Sequence, residues 1–253
     1  MSSIQFTALA GLPEITPGAD LARLLAESLD SMALALEPTD VLVVAQKIVS
    51  KAEGRYVNLS EVTPSVRARE LAEITGKDAR LVEVVLSESV HVLRAQPDVL
   101  IVRHRLGYVM ANAGVDRSNV ASDDGERVLL LPLDPDGSAA QLRSALANRC
   151  GVAVGVLISD SFGRPWRNGV VNIALGAAGL PALIDRRGEL DRQGRKLEVT
   201  EVALGDAIAA AAGIVMGEAA EGTPAALARG LNVTAPARNA RSLIRPLEKD
   251  LFR

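Results

Sequence analysis

The strongest strand signal in the chain is an apolar run at residues 152–158, and it leads directly into Ser159, Asp160 and Ser161. A strand interior normally excludes aspartate, because a buried carboxylate without a partner is very costly. We therefore expect Asp160 to lie at a strand end and to have a partner. The polar segment continues to Gly169 through Arg164 and Arg167. The predicted strand thus brings acidic and basic side chains to one edge of a sheet.

The order of strand and helix signals along the chain favours an α+β fold. Predicted strands lie at residues 4–9, 40–44, 99–102, 108–111, 129–133 and 152–158. Predicted helices lie at residues 20–36, 65–75, 78–89, 139–148 and 201–216. These elements alternate without a regular strand–helix–strand period, which argues against a doubly wound sheet. The length of 253 residues favours a single domain over residues 1–253, made of two intimate lobes.

Composition excludes several classes of function. Apolar residues make up 48% of the chain but aromatic residues only 2%, so stacking on bases is not expected to be a main binding mode. The formal charge of −3, from 28 basic and 31 acidic residues, gives no general attraction to nucleic acid or to a membrane surface. With one cysteine and no cleavable signal segment, we expect a cytoplasmic protein.

Several common catalytic patterns are missing from the sequence. His91 and His104 are the only histidines, and neither has partners at the spacing of a triad or a zinc site, so we expect structural or surface roles for both. Cys150 lacks the signature of a nucleophile and is expected to be inert. There is no Walker motif and no convincing dinucleotide-binding motif. Any nucleotide site must therefore use another architecture.

Acidic residues in glycine-containing polar segments are the best candidates for chemistry. Asp116, Asp160, Glu218 and Glu221 each follow closely on an apolar run. Carboxylate oxygens are ligands that suit Mg²⁺ or Mn²⁺, and the hydroxyl of Ser161 or water would complete the shell. The alternative is that each acid is an ordinary turn or cap residue. Three similar segments shift the balance towards an ion site.

Basic residues near the ends of the predicted strands are candidate anion contacts. Lys47 and Lys51 follow the strand at 40–44, where a lysine could meet a phosphate group. Arg164 and Arg167 offer donors for an anionic substrate. The alternatives are a solvated helix face for the lysines and a surface turn for the arginines.

Seven segments, taken together and in order, carry a family resemblance. They are GLPEI (11–15), VSKAEGR (49–55), NAGVDRSN (112–119), LLPLDPDGSA (130–139), ISDSFGRPWRNG (158–169), VTEVALGDAIAAAA (199–212) and MGEAAEGTP (216–224). From about residue 4 to 233 the chain resembles the coenzyme F420:L-glutamate ligases, GTP-dependent γ-glutamyl ligases of deazaflavin cofactor synthesis. Composition and spacing alone would not have indicated this substrate.

The resemblance implies a role for each matching residue. It assigns catalytic roles to Lys51, Asp116 and Asp160. It implies that two divalent ions, Mg²⁺ or Mn²⁺, are held by Asp116, Asp160, Ser161 and Glu218, with K⁺ as a further candidate ion. The implied GTP contacts are Leu12, Pro13, Glu14, Ile15, Gln46, Lys51, Asn119, Met216, Gly217, Glu218, Ala219, Ala220, Glu221, Gly222 and Thr223.

The resemblance also implies a reaction and an assembly. The γ-phosphoryl group of GTP would activate the lactyl carboxylate of the deazaflavin F420-0 as an acyl phosphate, which the amine of L-glutamate then attacks; later rounds would extend a γ-linked tail. An intertwined homodimer is expected. Separately, from their position after Asp160, we expect Arg164 and Arg167 to steer the acidic substrates. Some relatives carry a C-terminal flavin-reductase-like domain, and we expect none here.

Two departures from the family pattern and two rival functions stay open. Gln46 stands where relatives have a small hydroxyl residue, and Ser159 and Ser161 replace threonines. The same segments could serve a metal-dependent phosphohydrolase, which would commonly need a second aspartate at position 162, where this chain has Phe. A guanine-nucleotide-binding module without catalytic activity is the other alternative.

Overall fold

The computed structural model describes residues 3–118 and 126–250, which form twelve strands and six α-helices. The strands are β1 Gln5–Ala8, β2 Val41–Ala45, β3 Tyr56–Asn58, β4 Ser89–Gln96, β5 Val99–His104, β6 Val109–Ala111, β7 Arg127–Leu129, β8 Gly155–Arg164, β9 Arg167–Ala178, β10 Ile184–Asp185, β11 Glu201–Val202 and β12 Ala225–Arg229. The helices are α1 Leu21–Ser31, α2 Gln46–Ala52, α3 Val66–Thr75, α4 Ala79–Ser87, α5 Pro135–Cys150 and α6 Leu204–Met216. No helix within the described ranges is long and apolar enough to cross a lipid bilayer.

A five-stranded sheet in the order β1-β12-β2-β8-β9 organises the larger part of the fold. Only β2 and β8 pair in parallel, and this pairing runs from Val41 beside Gly155 to Ala45 beside Ser159. The remaining neighbours in the sheet are antiparallel. Such a mixed sheet, joined by helices at irregular intervals, confirms the predicted α+β class.

Both faces of this sheet are covered, which explains the continuous apolar sequence of β2. Leu42 and Val44 face a core formed with α1, α2 and α5. Val41 and Val43 point to the opposite side, where α6 supplies small residues such as Ala209 and Ala212. A strand buried on both faces is read as an unbroken apolar run rather than as an alternation.

A second, three-stranded sheet in the order β4-β5-β6 packs against α3 and α4 around its own apolar cluster. The hairpin predicted from the apolar segments at 99–102 and 108–111 is confirmed, since β5 and β6 pair antiparallel from Ile101–Ala111 to Arg103–Val109. Two-stranded sheets, β3 with β7 and β10 with β11, complete the topology of the described residues.

The expectation that Asp160 lies at a strand end is wrong. Strand β8 continues to Arg164, so Asp160 lies in its interior, paired with Ile173 of β9. The physical reason is that β2 ends at Ala45 beside Ser159 and its chain turns into α2. Beyond Ser159, β8 therefore has a neighbour on only one side, and the other side opens to polar surroundings.

Other element boundaries also differ from expectation. Helix α5 begins at Pro135 instead of 139, because proline at the first helical position has its φ angle already set for a helix. Helix α6 begins at Leu204, and the preceding Glu201 and Val202 form β11. The segment after residue 235 is anchored to the fold, since Ala240 is fully buried against the α6 side of the sheet.

Candidate functional site

A cavity of about 520 Å³ lies where β2 ends and β8 continues alone. Its walls come from distant parts of the chain: the loop before α1, helix α2, the segment at 116–118, the middle of β8 and the loop after α6. The side chain of Asn172 on β9 completes the wall. Because β2 and β8 run in parallel, the start of α2 and the polar segment of β8 lie at the same edge of the sheet.

Most residues assigned by resemblance line this one cavity. They are Leu12, Pro13, Glu14, Ile15, Gln46, Lys51, Asp116, Asp160, Ser161, Met216, Gly217, Glu218, Ala219, Ala220, Glu221, Gly222 and Thr223. Asn119 lies outside the described residues. Arg164 and Arg167 do not line the cavity; both are exposed at the turn that joins β8 to β9.

Helix α2 carries three side chains that are buried although they are polar: Gln46, Ser50 and Lys51. Gln46 is 2% exposed, and its Oε1 accepts a hydrogen bond from Ser50 Oγ at 2.8 Å. Lys51 is 4% exposed and forms an ion pair with Glu14 from the loop before α1. A cation held this deep is poorly screened by solvent, so an anion entering the cavity would feel it strongly.

Asp116 is held by both its backbone and its side chain. The backbone exchanges two hydrogen bonds with Leu129, each of 2.9 Å, which fixes the segment against the end of β7. One carboxylate oxygen accepts from the backbone N–H of Ser118 at 2.7 Å, and the other lies 2.6 Å from Lys47 Nζ. Burial alone would raise the pKa of Asp116, but these contacts lower it below its ordinary value.

Asp160 has the opposite electrostatic setting. Burial raises its pKa to about 7, and the like charges of Asp116 and Glu218 add to this rise. The backbone N–H of Ser161 and the ammonium of Lys47 oppose it without overcoming it. A cation bound beside the carboxyl group of Asp160 would therefore favour its charged form.

Hydrogen bonds within the loop after α6 stabilise its conformation. Helix α6 ends at Met216, and Gly217 follows with a φ of 77°, a conformation that favours glycine. The carboxylate of Glu221 accepts a hydrogen bond from the N–H of Ala219 at 2.8 Å, while Thr223 Oγ1 donates to the carbonyl of Met216. These contacts stabilise the backbone of the loop that carries Glu218.

The side chains fit an open divalent-ion site better than a closed one. No group of three or more acidic, histidine or cysteine side chains within residues 3–118 and 126–250 converges tightly enough to form a ready-made cage. Yet Asp116, Asp160 and Glu218 share one cavity with the hydroxyl of Ser161. Mg²⁺ typically takes one or two carboxylates and completes its shell with water and substrate phosphates. The donor set matches this type of site.

Sequence reasoning did not single out three polar residues of this cavity. Asn172 is the one polar residue between Val170 and Gly176, and that isolation was the signal that could have marked it. Ser118 Oγ accepts a hydrogen bond from the ammonium of Lys47. The Oγ of Ser159 is buried and has no hydrogen-bond partner among the described residues, which marks it as a contact available to a ligand.

The histidines and the cysteine lie outside the cavity. His104 is fully buried, its Nδ1 accepts from the N–H of Leu106 at 3.0 Å, and its Nε2 lies 3.3 Å from a carboxylate oxygen of Glu88. His91 is exposed on β4. Burial raises the pKa of the Cys150 thiol. The structural and surface roles expected for the histidines, and an unreactive cysteine, agree with these positions.

Comparison with known proteins identifies the family. Residues 11–230 match the family model described as F420-0:Gamma-glutamyl ligase. The chain belongs to this ligase family. Among its relatives, the coenzyme F420:L-glutamate ligase of Methanopyrus kandleri is 50% identical over 244 residues, covering 95% of this chain and 94% of that protein. Proteins with the same description from Methanothermobacter thermautotrophicus and Archaeoglobus fulgidus are 44% and 45% identical, over 99% and 96% of this chain and 99% and 94% of theirs.

The F420-0:gamma-glutamyl ligase family match covers every described residue that lines the cavity. The same match spans four strands of the five-stranded sheet, β2, β8, β9 and β12, and the smaller sheet with α3 and α4. Membership in the family therefore concerns the whole architecture that builds the site, not one motif within it.

Proposed function

We propose that this chain is a coenzyme F420:L-glutamate ligase that uses GTP to join L-glutamate to F420-0 by an amide bond. The observation that carries the proposal is that one cavity collects the acidic, lysine and loop residues that the family resemblance assigned to ions and nucleotide. The relatives described as coenzyme F420:L-glutamate ligases support the choice of acceptor and amine. The intertwined homodimer stays a prediction.

The chemistry explains why an enzyme of this kind needs such a cavity. A carboxylate is a poor electrophile, so it must first attack the γ-phosphorus of GTP, forming an acyl phosphate and releasing GDP. The amine of glutamate then attacks the acyl carbon, the amide forms, and inorganic phosphate and a proton leave. Two anions must meet in the first step, and lowering their repulsion is most of what a phosphoryl-transfer site contributes.

Lys51 is the residue that we assign to the nucleotide phosphates. Lys51 is buried and lines the same cavity as the acidic cluster, with Glu14 as its protein partner. The side chain of Glu14 is largely exposed, so its carboxylate is already mostly solvated. It can therefore turn to solvent at little cost when an anion binds. Lys51 then supplies a fixed positive charge beside the transferred phosphoryl group.

Asp116, Asp160, Glu218 and the Ser161 hydroxyl would hold the divalent ions. When bound, these ions neutralise phosphate charge and align the acceptor oxygen with the phosphorus. The protein contributes the orientation: Lys47 and Ser118 fix the carboxylate of Asp116. The backbone of β8 fixes Asp160 within a paired strand. Residues held by regular structure keep their geometry better than residues on free loops.

The phosphohydrolase alternative loses support at position 162. Phe162 is 8% exposed and packs edge-on against Tyr108, with ring centroids 6.1 Å apart. This position belongs to an apolar cluster with Met110, Leu131 and Leu175. A second catalytic aspartate at that place would be buried among apolar side chains, so the hydrolase arrangement does not fit the fold.

The proposal is tested by mass spectrometry of the products. Purified protein is incubated with F420-0, L-glutamate, GTP and Mn²⁺, and with each component left out in turn. We expect products that carry one or more added glutamyl residues only when all four are present. A protein that binds GTP but yields no glutamylated product under these conditions would be a binding module, and the proposal would be wrong.

A further inference from the structure

The carboxylate of Glu218 is held by a neutral amide from a different element. Nδ2 of Asn172, on β9, donates a hydrogen bond to Oε1 of Glu218 at 2.6 Å. Asn172 stands directly across the strand pair from Ser161. The amide therefore links the middle of the β8–β9 ladder to the loop after α6, the two elements on which the ion site would depend.

Electrostatics alone would move Glu218 away from this position. The carboxylate of Asp160 shares the cavity with Glu218 and repels it. Glu218 also lies two residues beyond the carboxyl end of α6, where the helix dipole is negative and disfavours another anion. Since Glu218 is exposed on a loop, its side chain would turn to solvent unless a specific contact held it.

The type of donor matters. An arginine or lysine in the place of Asn172 would hold the carboxylate equally well, but it would cancel the negative charge that attracts a cation. The amide occupies one lone pair of Oε1 and leaves the charge of Glu218 intact. Hydrogen bonds of this kind, from an outer residue to a ligating carboxylate, commonly orient metal ligands in proteins.

Gly213 makes the contact possible. It lies inside α6, where glycine weakens a helix relative to alanine. A Cβ atom at this position would lie 2.4 Å from Asn172 Nδ2 and 3.0 Å from its Cγ. The missing side chain leaves room for the amide to pass over the helix and reach Glu218.

We propose that Asn172 is a positioning residue that holds Glu218 in place for a divalent cation. The absence of a side chain at Gly213 provides the space that the amide of Asn172 requires. The inference rests on the proposed function only in taking Glu218 as a cation ligand. It concerns the protein's own side chains and can be measured by cation binding without any turnover.

The test is the affinity for Mn²⁺ alone, measured by electron paramagnetic resonance of the free ion. Asn172→Leu keeps the shape of the side chain and removes the donor, and we expect the dissociation constant to rise about 10-fold or more. Asn232→Leu, at an exposed loop position, is the matched control and should bind as the unmodified protein does. The expected tenfold rise in the dissociation constant corresponds to about 1.4 kcal/mol of binding free energy. An Asn172→Leu protein that folds and binds Mn²⁺ within about twofold of the unmodified protein would overturn the proposal.

A double-mutant cycle tests the role of Gly213. Gly213→Ala should weaken Mn²⁺ binding when Asn172 is present, because the new methyl group displaces the amide. In an Asn172→Ala background the same change should have no further effect on the affinity. Equal weakening in both backgrounds would show that Gly213 acts without Asn172 and would overturn that part. If Gly213→Ala does not fold, Asn172→Leu decides the question alone.

These outcomes are separable from the proposed function. If the unmodified protein binds Mn²⁺ but forms no glutamylated product, the ligase proposal fails while the comparison of Asn172 variants still stands. If the protein forms the product and Asn172→Leu binds Mn²⁺ normally, only the positioning role fails. An unmodified protein that does not bind Mn²⁺ would overturn the positioning role, since Glu218 would then have no cation to meet.

Discussion

The ammonium of Lys47 lies 2.6 Å from Oδ2 of Asp116 and also donates to Ser118 Oγ at 2.8 Å. This ion pair joins helix α2 to the segment before β7, two parts of the chain separated by more than sixty residues of sequence. Together with the N–H of Ser118, it holds both carboxylate oxygens of Asp116. The pair also supplies a positive charge near Asp160, the carboxyl group with the least favourable surroundings.

Replacing Lys47 by methionine should destabilise the protein and impair the site. The change leaves the Asp116 carboxylate partly buried beside Asp160 without its cation, and we expect a loss of about 1–3 kcal/mol in the free energy of unfolding. Urea denaturation at low ionic strength measures this loss. Lys47→Arg keeps the charge and should recover most of the stability; equal stability of Lys47→Met and the unmodified protein would contradict the account.

Replacing Asp160 by asparagine should stabilise the protein in the absence of divalent ions while removing its activity. Burial raises the pKa of Asp160 to about 7, so at pH 8 folding keeps an unfavourable charge in the cavity. Relief of that charge is expected to add about 2–4 kcal/mol, because each unit of pKa shift corresponds to about 1.4 kcal/mol. Thermal unfolding with and without Mn²⁺ is the measurement, and Mn²⁺ should stabilise only the unmodified protein. A destabilised, Mn²⁺-responsive Asp160→Asn protein would argue against this assignment.

The ion cluster at Glu88 should make stability depend on acid. Burial alone would raise the pKa of Glu88, but His104, Arg105 and Arg55 lower it to about 2. A lowered carboxyl pKa in the folded state stabilises the protein above the unfolded pKa near 4.5, and this contribution is lost as pH falls towards 2.

Replacing Glu88 by glutamine tests this dependence. The variant should be less stable than the unmodified protein by about 1–3 kcal/mol at pH 7, and the difference should shrink steadily between about pH 5 and pH 2. Chemical denaturation across this range gives the comparison. A constant difference at every pH would mean that Glu88 acts through packing rather than through its charge.

Arg167 should affect substrate capture more than turnover. Arg164 and Arg167 lie at the exposed tip of the β8–β9 hairpin, and four strand residues from Asp160 correspond to about 13 Å. Charges at that distance act by steering, which salt screens. We expect Arg167→Ala to raise the KM for F420-0 several-fold at low salt, with kcat unchanged and the difference reduced at high salt. Unchanged KM and kcat for both F420-0 and glutamate would remove the proposed role.

Sequence patterns predicted the grouping of three acidic residues better than the bounds of the strand that carries Asp160. Asp116, Asp160 and Glu218 stood in polar segments after apolar runs, and such segments tend to gather at one edge of a sheet. What local pattern could not predict was the extent of β8. Whether Asp160 ends a strand or lies within one depends on where its neighbour β2 stops, and that is a property of the sheet rather than of the segment.

Asn172 and Gly213 show a second limit of sequence reasoning. In the sequence, Asn172 interrupts an apolar run and Gly213 interrupts a helix of alanines, and each can be taken for a local weakness. Only the packing of β9 against α6 reveals that the two positions depend on each other. The two residues lie 41 positions apart in the sequence and are neighbours only in the fold. No periodicity within either element predicts such a contact.

The most direct test of the central claim follows phosphate release and amide formation together. With GTP and Mn²⁺ present, we expect phosphate to appear only when both F420-0 and L-glutamate are supplied, in a one-to-one ratio with the glutamyl residues added. Release of phosphate from GTP without either substrate, or a glutamylated product formed without nucleotide, would contradict the account.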